Sequence, residues 1–123
     1  AIAALRLGVP DVTAIDTDAR ALDTAAENLR LNDVASRCRL VLGGPDQVEG
    51  RWPLILANIL PAPLMDMAPV LVRRLASQGR IVLSGVTDPL VAEVERVYRD
   101  LGLLPIRRLA KDGWAAMVMR ASW

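Results

Sequence analysis

The chain has 123 residues, 53% of them hydrophobic, with a mean hydropathy of +0.30 and a net charge of +1. That suffices for one globular domain with a core and excludes disorder, a basic nucleic-acid-binding arm and an acidic tail. With no histidine, a Ser-His-Asp triad and a His-bearing zinc site are excluded, and the single Cys38 excludes an internal disulfide.

A lone thiol fits a reducing, cytoplasmic setting. Arg37-Cys38-Arg39 leaves two readings, a thiol activated by its cationic neighbours or a small residue that begins a strand. No apolar run reaches the length of a membrane span, and no signal-peptide pattern is present.

Residues 1–8 read as the second half of a helix closed by Gly8, so a natural N-terminus is expected upstream. A short strand follows over Val12 to Ile15 and ends at Asp16. Asp16-Thr17-Asp18 then offers N-cap chemistry for a helix of roughly four turns. Leu22, Ala25, Ala26 and Leu29 fall on one face of it, and Asn32 ends it. The next strand runs from Arg39 to Leu42 and is broken by Gly43-Gly44-Pro45.

Leu54 to Ala57 reads as a buried strand with Asn58 at its carboxyl end. A helix follows with Leu64, Ala68, Leu71, Val72 and Leu75 as its apolar face, and Pro69 inside it predicts a kink or a late start. Ser77-Gln78-Gly79 turns the chain into a strand over Arg80 to Ser84. Asp88-Pro89 reads as an N-cap and first helical residue; Leu90, Val94, Val97, Tyr98 and Leu101 make the buried stripe, and Gly102 the stop. Leu104 to Ala110 and Trp114 to Arg120 then form an antiparallel hairpin around Lys111-Asp112-Gly113. Helices alternating with strands in this way predict an α/β fold, a doubly wound sheet closed by a hairpin.

Four places carry candidate chemistry. Asp16, at a strand end, either grips the two hydroxyls of a ribose or caps the next helix. Gly43-Gly44-Pro45-Asp46 either borders a purine ring or is an ordinary turn. Asn58 either caps a helix or presents an amide to a ligand at the carboxyl end of the sheet, where open α/β sheets bind. Trp114 reads as rim packing or as a wall of a substrate channel.

Taken in order, several pieces resemble the PrmA family of S-adenosylmethionine-dependent methyltransferases. They are residues 1–8, Val12-Thr13-Ala14-Ile15-Asp16-Thr17-Asp18, Ala25-Ala26-Glu27-Asn28 with Asn32, Ala57-Asn58-Ile59-Leu60, Gly79-Arg80-Ile81-Val82-Leu83-Ser84-Gly85 and Asp112-Gly113-Trp114. Asn-Ile-Leu, where glutamine and DNA methyltransferases carry Asn-Pro-Pro, is with Ser84-Gly85-Val86 and Gly113-Trp114 more specific to this group than the other pieces.

The resemblance implies a Rossmann-like class I methyltransferase domain and S-adenosylmethionine as cofactor. It implies a large-subunit ribosomal protein as substrate, methylated on lysine or α-amino groups. No metal, direct nucleic-acid partner or membrane is expected. Asp16 would hold the cofactor ribose and the Gly43-Gly44 loop would border the adenine. Asn58 would face the methyl group and the target nitrogen, with Ile59 and Leu60 shaping the pocket.

Residues 1–123 would then be an N-terminally truncated methyltransferase domain, without the family's first strand and glycine loop, and inactive alone. That strand would belong between the strands ending at Asp16 and Asn58. Without it, both would leave unpaired edges or pair with each other, which predicts marginal stability. Other readings remain: a methyltransferase for another protein or nucleic-acid substrate, a nicotinamide-binding domain, or a non-catalytic module.

Overall fold

The computed structural model describes residues 1–123, which fall into two compact units, 1–49 and 50–123. The first holds α1 (Ile2–Arg6), β1 (Val12–Asp16), α2 (Ala19–Leu31) and β2 (Cys38–Leu42). α1 ends as expected: Gly8 adopts φ +105°, and its N–H and that of Val9 return to the carbonyls of Leu5 and Ala4. β1 and β2 pair in parallel, with Asp16 opposite Leu42. A small cluster of Leu5, Leu29 and Val34 forms the core of this unit, with Ile2, Val12, Cys38 and Leu40 packed against it. Of the expected stripe on α2, Leu29 is buried and Leu22 and Ala25 are half-buried, whereas Ala26 is exposed.

The second unit holds β3 (Trp52–Asn58), α3 (Pro61–Asp66), α4 (Ala68–Arg73), β4 (Leu75–Thr87), α5 (Val91–Asp100), β5 (Leu103–Lys111) and β6 (Trp114–Ala121). Its sheet has the order β3-β4-β6-β5, with β3 and β4 parallel and the other neighbours antiparallel. One face of the sheet is packed by the three helices through Leu64, Leu71, Leu75, Ile81, Leu83, Val94, Tyr98, Met117 and Met119. Alternation along β3 sends Ile55 and Ala57 to this core and leaves Leu54, Leu56 and Asn58 exposed. β1 has β2 as its one strand partner, and β3 has β4.

The break expected at Pro69 is present. Proline has no N–H to give the carbonyl of Met65, so the segment divides at Met67 into α3 and α4. Two local expectations differ. Ser77-Gln78-Gly79 lies inside β4, where the register jumps from Trp52–Leu75 to Leu54–Arg80 and Gln78 takes φ +58°. Asp88 does not cap α5. Its N–H bonds the Gly113 carbonyl at 3.1 Å, and Asp88–Leu90 forms a separate 3₁₀ turn before the helix. In the hairpin, Asp112 and Gly113 both have positive φ, 52° and 80°, the geometry of a type I′ turn.

Candidate functional site

The candidate residues form two groups, one in each unit. In the first, parallel pairing sets the ends of β1 and β2 side by side. The Gly43 N–H then bonds the Asp16 carbonyl at 2.9 Å. Of the two aspartates before α2, one caps it and the other does not. Asp18 Oδ1 accepts from the Arg20 N–H at 2.9 Å and is the N-cap of α2, while Asp16 Oδ1 accepts from the Asp18 N–H at 2.9 Å. The Asp16 carboxylate is exposed and forms no ion pair, and beyond the Oδ1 bond to the Asp18 N–H its Oδ2 is free for an incoming donor. Such a group fits a pair of ribose hydroxyls.

Backbone conformation and close neighbours constrain Gly43, and Gly44 more weakly. Gly43 has φ +136°, and a Cβ there would run into the Gln47 side chain; at Gly44 it would come 2.8 Å from Asp46 Oδ1. Pro45 is buried beneath this turn and Asp46 is exposed. Cys38 takes the bland reading: burial pushes its thiol above the usual range, and Arg37 points elsewhere, to the Leu5 and Val9 carbonyls.

In the second unit, β3 ends at Asn58, opposite Ser84 of β4. Asn58 is not a helix cap either: α3 begins at Pro61, and its N-cap residue is Leu60, without a side-chain bond. The Asn58 amide is exposed and hydrogen-bonds no other group of the chain. Ile59 is half-buried and packs against the core, while Leu60 is 69% exposed at the rim.

β4 is irregular at this point. Leu83 pairs with Met117 and Val86 with Ala115, so Ser84 and Gly85 together face Ala116, and Gly85 takes φ +81°. Trp114 pairs with Thr87 at the same end of the sheet and is exposed. Local pattern alone assigns Gly85 no role at the site. Its signal was a glycine inside a strand pattern, which marks a bulge or a close backbone approach.

The family model described as ribosomal protein L11 methyltransferase (PrmA) matches residues 1–122. The chain belongs to that family. Similar relatives are the ribosomal protein L11 methyltransferases of Chromohalobacter salexigens, 38% identical over 122 residues, and of Geotalea uraniireducens, 39% identical over 119. These alignments take in 98% and 97% of this chain but 40% and 38% of those proteins, so the chain spans about two fifths of their length.

Among solved structures, the ribosomal protein L11 methylase of Lactobacillus delbrueckii subsp. bulgaricus is similar at TM-score 0.92 and 27% identity. The match covers 98% of this chain and 63% of that one. The N-methyltransferase NodS of Bradyrhizobium japonicum, in complex with S-adenosyl-L-homocysteine, matches at TM-score 0.74 and 15% identity, over 92% of this chain and 67% of that one. At that identity the likeness concerns the fold, which is the class I methyltransferase α/β type. No helix of the chain is long and apolar enough to cross a membrane.

Proposed function

We propose that the protein carrying these residues is a cytoplasmic enzyme that methylates amino groups of ribosomal protein L11, lysine above all, with S-adenosylmethionine as donor. The reading is carried by Asn58: in a chain of this family, an exposed amide stands at the carboxyl end of β3 with no capping duty and no partner. When bound, the cofactor supplies a methyl group already activated by its sulfonium. The residues of this chain then have to hold, orient and dry the reacting groups.

Asp16 accepts the ribose hydroxyls through its free carboxylate oxygen, beside the Gly43-Gly44 turn that borders the base. Asn58 Oδ1 accepts an N–H of the incoming amine and so fixes the direction of its lone pair. A lysine ammonium, with a pKa of about 10.4, has no lone pair to offer; a pocket shaped by Ile59 and Leu60 lowers that pKa by desolvation. No nucleophilic side chain is needed, in keeping with a chain without histidine.

The test is methyl transfer from radiolabelled S-adenosylmethionine to L11, by the protein at the full length of its relatives. Asn58→Ala is expected to lower turnover about tenfold or more while leaving cofactor affinity within about twofold. Unchanged turnover removes Asn58 from the reaction.

A further inference from the structure

We propose that Gly85 is a positioning residue for Asn58: its bare Cα, in a bulge of β4, lets the Asn58 amide oxygen lie against the strand in one orientation. The inference rests on the amine-accepting role of Asn58 argued above. A strand end by itself leaves an exposed asparagine free to sample rotamers. Here the bare Cα of Gly85 keeps open the rotamer in which Asn58 Oδ1 lies against β4.

A Cβ added to Gly85 would come 2.8 Å from Asn58 Oδ1 and 2.8 Å from the Ile59 carbonyl oxygen. Both are below van der Waals contact, and the second neighbour is backbone, which yields little. The approach is produced by the bulge. Ser84 and Gly85 share the single partner Ala116, which turns the strand, and the φ of +81° at Gly85 is one that L side chains rarely adopt. Bulges of this kind re-aim side chains next to binding sites. Here the side chain re-aimed belongs to the neighbouring strand, opposite Ser84 in register. A side chain at position 85 would push the amide oxygen and the Ile59 carbonyl away from β4. The atom proposed to hold the amine, and the carbonyl next to it, would both shift.

The experiment is a double-mutant cycle in the full-length protein, with Gly85→Ala, Asn58→Ala and the double variant assayed for kcat and for KM of S-adenosylmethionine. Gly85→Ala is expected to lower kcat about tenfold with the cofactor KM within about twofold, because misplacement of an orienting group acts on turnover. The double variant is expected to be no slower than Asn58→Ala alone. Gly85→Ala with unchanged kcat, or a Gly85→Ala effect just as large in the Asn58→Ala background, overturns the positioning role.

Asn58→Ala with unchanged turnover overturns the amine-accepting role instead, and with it the catalytic meaning of the contact. Since Gly85→Ala also strains the backbone, a second measurement needs no variant at position 85. In the unchanged protein labelled at asparagine and glycine, cross-relaxation between the Gly85 α-protons and the Asn58 side-chain amide is expected. Its absence overturns the proposed contact even if Gly85→Ala does not fold.

Discussion

The hydroxyl of Tyr98 donates a 2.8 Å hydrogen bond to the carbonyl oxygen of Leu64, with both residues fully buried. The bond ties α5 to α3, the helix that leaves directly from Asn58-Ile59-Leu60. It also satisfies a carbonyl in the segment where Pro69 breaks the helix. The helix that follows Asn58 is therefore anchored by a residue far along the chain.

Tyr98→Phe keeps the ring and leaves the Leu64 carbonyl without this donor, which should cost about 1–3 kcal/mol of stability. Burial also pushes the Tyr98 hydroxyl well above its ordinary range. The folded value lies above the unfolded one, so the stabilisation is intact below the unfolded pKa of about 10 and is lost as pH rises through the folded value. Urea melts between pH 8 and 11 should show the unchanged protein losing stability at the alkaline end. The Tyr98→Phe variant should show less of that loss. Parallel pH profiles for the two proteins would contradict the assignment.

Asp16 and Asp18 stand two residues apart and should separate cleanly. Asp18→Ala removes the N-cap of α2 and should cost about 1 kcal/mol with cofactor affinity unchanged. Asp16→Ala should instead weaken S-adenosylmethionine binding by about 1.5–3 kcal/mol, the range for hydrogen bonds to a charged group. Calorimetric titration and thermal melts of the two variants at full length check the pair. A result in which Asp18→Ala loses the cofactor and Asp16→Ala does not would reverse the assignment.

The two units should open at different free energies. β1 and β2 form a two-stranded sheet over a cluster of three buried side chains, Leu5, Leu29 and Val34, and two strands alone are marginal. β4 and β6 lie inside a four-stranded sheet over a far larger core. In the 123-residue chain, amides of Val12–Asp16 and Cys38–Leu42 should therefore exchange at least about tenfold faster than those of Ile81–Leu83 and Met117–Met119. Uniform protection across both sets would refute this.

The order of elements was legible from the residues alone, because hydrophobic period and turn chemistry are local. Gly8, Asn32, Gly102 and Asp112-Gly113 end or turn the chain where their backbone preferences require, and Pro69 splits a helix by lacking one N–H. The residues also carried the family resemblance, since Asp16 and Asn58-Ile59-Leu60 stand at strand ends in the expected order.

Tertiary structure decided which polar side chains were already engaged. An aspartate or asparagine before a helix has the same local signature whether or not it caps. Only distances separate Asp18, which caps, from Asp16 and Asn58, which do not. Gly85 and Tyr98 were beyond local reading for the same reason. Each acts on a residue distant in sequence, through a bulge register or a buried bond, and such partners meet only when the sheet and its helices pack.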